Sequence, residues 1–147
     1  MDLIKKAEEF VNKSTIHTVD ELGTADWVMA LTDEEGYPVT SMITASKADG
    51  FKWITFCTGL GAGYNKANRV EKDPRSSVYL FDKESFTGIS LMGKIEVTTD
   101  EETKKKMWFD ALSDHFNGVE DESWCVLIFK PERYHIFIDG CTIRGTL

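Results

Sequence analysis

Lys66, Arg69 and Lys72 recur at every third position directly after three spaced glycines, Gly59, Gly61 and Gly63. Cations at that spacing lie along one side of a helix. Glycines before a helix start let backbone N–H groups approach a ligand closely, and the start itself offers unpaired donors. The chemistry on offer is capture of a phosphate, with Thr58 and Asn65 as further donors beside the Lys66 ammonium. Neither G-x-G-x-x-G nor G-K-[ST] is present, so neither common nucleotide fingerprint is met. Read without further context, Lys66 is equally an ordinary solvated lysine and the glycines an ordinary connection.

The elements that position these residues follow from pattern. Phe51–Thr58 alternates β-branched and aromatic residues as a strand does. Tyr64–Lys72 reads as a short helix, closed by Asp73-Pro74 because a residue before proline leaves the helical region. Upstream, Asp2–Asn12 is an amphipathic helix with Asp2 as cap and Leu3, Ala7, Phe10 and Val11 on one face. Ser14–Thr24 is a polar connection. Ala25–Thr32 and Tyr37–Ala45 form a hairpin around Asp33–Gly36, and Ser46–Gly50 is a second turn. Downstream, Ser76–Phe81 and Thr87–Val97 are strands, the second with glycines that suggest a bulge or close approach. Thr99–Glu102 matches a capping box for a helix reaching about Phe116. It would show Met107, Ala111, Leu112 and His115 on its apolar side and end at Asn117-Gly118. Trp124–Lys130 and Tyr134–Ile138 are two further strands, split by Pro131. Connections this short do not allow parallel crossovers. They predict a mainly β fold, an antiparallel barrel with peripheral helices, in a single domain over residues 1–147.

Bulk properties narrow the partners. A net charge of −8 argues against a nucleic-acid or anionic-membrane partner. Lys66 to Arg75 reverses that sign locally, with four cations against Glu71 and Asp73, which suits a small anion. No apolar run approaches a membrane span and no signal-peptide centre is visible. Cys57, Cys125 and Cys141 are odd in number and widely spaced, as for reduced thiols in the cytoplasm. Cys57 reads as a small strand residue, with redox partnership to a cofactor as the alternative. His17, His115 and His135 lack metal-ligand spacing, so no metal site is expected. Trp27, Trp53, Trp108 and Trp124 read as core or interface aromatics, and Lys104–Lys106 as a solvated helix face. No G-x-S-x-G elbow surrounds Ser41, Ser46 or Ser90, and the acidic pairs sit on helices and a turn.

Trp27–Pro38, Phe56-Cys57-Thr58, the spacing of Lys66 to Asp73-Pro74, Ser77–Phe81, the Gly93 strand and Pro131–Tyr134 occur in a familiar order. Over about Ala25–Ile138 the chain resembles the pyridoxamine 5′-phosphate oxidase-like FMN-binding split barrels, especially small members like the general stress proteins and nitroimidazole reductases. The resemblance implies a six-stranded antiparallel split barrel and a homodimer with FMN at the interface. It implies a phosphate held by Lys66, Asn65 and Thr58, with the flavin ring against Ser41, Met42, Ile43 and Thr44 and against Phe56, Cys57 and Thr58. It also puts Phe137 within reach of the partner's cofactor, and for Trp108 approach to a flavin is the alternative to a core or interface role. The implied activity is hydride transfer between flavin and a small molecule, with NAD(P)H a possible donor. The alternatives are a non-catalytic FMN-binding or stress-response protein, or a barrel that takes haem or a deazaflavin. Relatives that oxidise pyridoxamine phosphate carry Arg, Lys and Gln where this chain has Ser41, Ser46 and Gly88. That implies a different substrate.

Overall fold

A computed structural model describes residues 2–19 and 25–147. Helix α1 (Leu3–Lys13) starts where the Asp2 carboxylate accepts from the Ile4 and Lys5 amides, as the sequence predicts. Ala7 and Val11 are fully buried against the barrel. Two side chains latch the helix to the turn after the second strand. Asn12 Oδ1 accepts from Gly50 N at 2.7 Å and Glu8 Oε2 from Phe51 N at 3.0 Å. Gly50 sits at φ +53, and a Cβ there would meet the Glu8 carboxylate, so the latch requires glycine. A short helix α2 (Ile16–Val19) lies in the expected connection Ser14–Thr24, the rest of which, from residue 20, lies outside the described residues.

The strands are β1 (Asp26–Thr32), β2 (Pro38–Asp49), β3 (Trp53–Gly59), β4 (Arg75–Asp82), β5 (Thr87–Thr98), β6 (Trp124–Ile138) and β7 (Cys141–Thr146). All neighbours are antiparallel in the order β3-β2-β1-β4-β5-β6-β7. A further pairing of β3 with β6, Ile54 opposite Phe129 through Gly59 opposite Trp124, closes the first six into a barrel. The interior is filled by alternate residues, among them Trp27, Met29, Phe56, Val78, Leu91, Leu127 and Phe129, each at most 1% exposed. Trp27 meets Phe56 edge to face at 5.9 Å, and its Nε1–H donates to Ser14 O.

Four expectations change. The turn expected over Ser46–Gly50 begins only at Gly50, because β2 runs on to Asp49 across a register shift between Ala45 and Ala48. The polar groups of this stretch find partners on neighbouring elements. Ser46 Oγ donates to Met107 O at 2.6 Å, and Thr55 Oγ1 bonds both the amide and the carbonyl of Lys47. Pro131 does not split two strands. It lies opposite Gly93 at a bulge, where a missing N–H can be absorbed and β6 bends onward. β7 then adds to the outer half of β6, a strand not foreseen. The long helix to Phe116 is also broken. Helix α4 spans only Glu101–Met107, capped by Asp100, which accepts from Thr103 N, rather than by Thr99. Trp108 leaves the helix at ψ 139. A 3-10 turn, Asp110–Asp114, follows.

The break has a packing cause. Trp108 lies 5.4 Å from Trp124 and Phe109 meets His17 edge to face at 6.4 Å. Trp108 and Phe109, both half-buried, thus pack on different neighbours at the point where the helix ends. The result is a small second core outside the β3–β6 seam, made of Met107, Leu112, Phe116, Trp124 and Val126. Lys104 belongs to this layer and is not a solvated lysine. It is 5% exposed, donates to Asp121 O at 2.7 Å, and sits 4.4 Å above the Trp124 ring.

Candidate functional site

A cleft of about 350 Å³ opens where the end of β3 meets the start of helix α3 (Lys66–Lys72) under the 3-10 turn. β2 gives Met42, Ile43 and Thr44. The last residues of β3 give Cys57, Thr58 and Gly59, and α3 gives Lys66 at its first position. Six of the sequence-predicted residues therefore converge on one space. The others do not line it. Ser41 is exposed one residue along β2, and Asn65 is the exposed residue preceding α3, its side chain making no cap hydrogen bond. Phe56 is fully buried inside the barrel. Trp108 stacks into the second core, and Phe137 lines a separate apolar cleft with Tyr79, Phe81 and Phe86.

The roof of the cleft was not anticipated. Phe109, Leu112, His115 and Phe116 line it, with Asp114 as its one carboxylate. Reading Thr99–Phe116 as one helix put Leu112 and His115 on its apolar side with Met107 and Ala111, and left Phe109 and Phe116 unassigned. The signal that could have found them is the Trp108-Phe109 pair, two poor helix formers in sequence. Tyr64 completes the wall. Its ring lies flat on Gly59, where a Cβ would come within 2.6 Å of it, and 6.1 Å from Phe116. That close approach, rather than ligand access, is what Gly59 permits here. Gly61 and Gly63 supply positive φ values, +88 and +89, to the bend itself.

α3 has only seven residues, so its dipole contributes little, and the electrostatics rest on side chains. Lys66 is half-buried, and its pKa is lowered, by desolvation first and then by the Arg69 charge. Among the described residues it forms no ion pair. Arg69 is itself weakly compensated. Its Nε is buried without a hydrogen bond and lies 3.9 Å from the nearest Glu34 oxygen. Lys66 thus brings a cationic side chain to the cleft, with Arg69 beside it. Cys57, by contrast, is chemically quiet. Burial first, then Cys125, pushes its thiol up to about 12, and Sγ lies 3.7 Å from Met107 O. Thr44 Oγ1 is committed to Asp26 at 2.7 Å.

A six-stranded antiparallel barrel with a cleft between a strand end, a glycine bend and a short cationic helix defines the class. The sequence model of the pyridoxamine 5′-phosphate oxidase family matches residues 5–136, and the chain belongs to that family. No curated protein matches it. Among solved structures it is similar to general stress protein 26 from Bacillus anthracis, with TM-score 0.77, 18% identity and all of both chains covered. It is similar to a heme binding protein from Mycobacterium smegmatis, with TM-score 0.71 and 16% identity, covering 97% of this chain and 57% of that one. A pyridoxamine 5′-phosphate oxidase-related, FMN binding protein from Nostoc punctiforme gives TM-score 0.63 and 9% identity, with 99% and 94% covered. At these identities the likeness is one of fold. Among the described residues no helix is long and apolar enough to cross a membrane.

Proposed function

We propose that the cleft holds FMN by its phosphate and that the protein is a flavin-dependent oxidoreductase for a small molecule. The observation that carries this reading is Lys66, desolvated beside Arg69 and facing a cleft lined by Ile43, Thr44, Cys57 and Thr58. The residues present fit the group. Lys66 would take the phosphate through a charge-assisted bond, and the β2 and β3 residues would border the ring. Bound there, FMN supplies two-electron transfer. The chain's own part is to orient it, exclude water through Phe109, Leu112 and Phe116, and keep the Cys57 thiol protonated and uninvolved. At about 350 Å³ the cleft is near the small end of the usual ~300–1,000 Å³ for such sites, as expected where a second copy completes it.

Pyridoxamine phosphate is not the substrate in this reading. Where relatives with that activity carry a phosphate-binding Lys, Ser46 is fully buried and bonded to Met107 O. A second reading is haem. His115 lines the cleft and could offer a nitrogen, and the fold is shared with a heme binding protein.

The visible spectrum of the purified protein separates flavin from haem. Lys66→Ala should then weaken FMN binding by about 1.5–3 kcal/mol, the range for a hydrogen bond to a charged group. Unchanged affinity in a flavin titration would reject the phosphate assignment. Rapid bleaching of the bound flavin by NAD(P)H supports an enzyme, and its absence across donors supports a binding protein.

A further inference from the structure

Helix α4 covers the β3–β6 seam only partly, and on the flank away from the Lys66 cleft a second space of about 380 Å³ remains. Its floor is Trp53, Ile128 and Met107, and its rim is Lys47, Lys106 and Lys130. The two clefts are separated by one residue. Met107 O accepts from Cys57 Sγ and Ser46 Oγ on one side, while its sulfur accepts from Thr55 Oγ1 at 3.2 Å on the other. Thr55 and Cys57 are successive outward positions on β3, so the clefts share a strand without sharing a lining residue.

The composition of this second cleft runs against that of the whole chain. The sequence holds 25 acidic residues against 17 basic ones, yet three lysines and no carboxylate line this space. Lys130 is shared with Glu96, 3.6 Å away. Among the described residues Lys47 and Lys106 are in no ion pair. The Thr55 hydroxyl beside the floor shares its one hydrogen between Lys47 O and Met107 Sδ, so it has no free donor for a ligand and the floor offers chiefly apolar contact. Asp100 feels the Lys106 charge from outside the lining. An aromatic and aliphatic floor beneath two ammonium groups held in no direct ion pair fits a ligand with a flat or chain-like apolar body and one acid group.

We propose that this cleft is a binding site for a small amphipathic anion, an aromatic or alkyl carboxylate or sulfonate. Its apolar part lies on Trp53 and Ile128, and its acid group meets Lys47 and Lys106. The site is independent of the flavin reading, because neither Lys66 nor any other lining residue of the first cleft takes part.

The test is a fluorescence titration of the full-length protein with 8-anilinonaphthalene-1-sulfonate at neutral pH. One saturable site is expected, weakening with added salt. The double variant Lys47→Gln/Lys106→Gln should lower affinity at least tenfold and Trp53→Ala comparably. Lys66→Ala should leave it unchanged, and added FMN should not compete. The uncharged probe N-phenyl-1-naphthylamine should bind the lysine double variant and the wild type equally. Both lysines lie at the surface rim, so the double variant should keep the wild-type circular dichroism and melting temperature. Sulfonate binding that survives the double variant, vanishes with Lys66→Ala, is displaced by FMN, or is absent altogether overturns the proposal.

Discussion

At the scale of single residues, Lys66 shows a site held at the expense of stability. Its folded pKa is lowered below the ordinary lysine value, so the unfolded chain binds that proton more tightly than the folded one. Stability of the ligand-free protein therefore rises as pH climbs from the folded value toward the unfolded one. At neutral pH, below both, the destabilisation is present in full. Lys66→Met should thus leave the melting temperature of the ligand-free protein equal or higher while weakening FMN binding, and Lys66→Arg should keep binding. A melting temperature that drops by several degrees in the Met variant would mean that Lys66 has a structural ion partner instead. That Thr58 and Lys66 border one cleft was legible, because the strand, glycine bend and helix start that bring them together show in the pattern. Tyr64, Phe109 and Phe116 were not, because an aromatic that walls a cleft has the same sequence signature as one that fills a core.

At the scale of elements, the strands were read well wherever alternation was clean, as in Asp26–Thr32 and Arg75–Asp82. The reading failed where polar residues were satisfied by distant partners. Ser46 looks like turn material until the carbonyl of Met107 arrives from far along the chain. Proline and glycine misled in the same way. Pro131 looks like a stop, but facing Gly93 it marks the bulge where β6 leaves the β3 seam and continues to β7. That bulge makes a prediction. A Cβ on residue 93 would lie 2.1 Å from Lys130 O and 2.9 Å from Pro131 Cα, both backbone atoms that cannot rotate away. Gly93→Ala should therefore cost at or above the upper end of the ~1–3 kcal/mol typical of overpacking. Chemical denaturation would show it as a lower midpoint. A midpoint within error of wild type would mean that the bulge can shift register without loss.

At the scale of the whole molecule, the barrel has an outer face that is poorly suited to water. Met42, Tyr79, Phe81 and Phe86 are 71, 42, 60 and 75% exposed, and register ties them into one surface. Met42 and Tyr79 both oppose Val28, and Phe81 opposes Gly88, which opposes Phe137. Phe86 stands edge-on to Phe137 at 5.8 Å, held at φ +50, a costly conformation for a bulky residue. Exposed aromatics on a strained turn, in a continuous apolar patch, are what a partner surface requires. The patch reaches the Lys66 cleft through Met42, which belongs to both. A second copy of the chain seated there would close the cleft and supply the enclosure that one copy lacks. Wild type should then sediment as a dimer at micromolar concentration, and the double variant Phe81→Asp/Phe86→Asp as a monomer. It should also bind FMN at least tenfold more weakly although neither residue lines the cleft. Its melting temperature without ligand, at concentrations where wild type has dissociated, should be unchanged, since neither side chain is in the core. A wild-type monomer would remove the partner from the account, and a variant that stays dimeric would move the interface to another face of the barrel. A monomeric variant with undiminished FMN affinity would show that a single copy suffices for the cofactor.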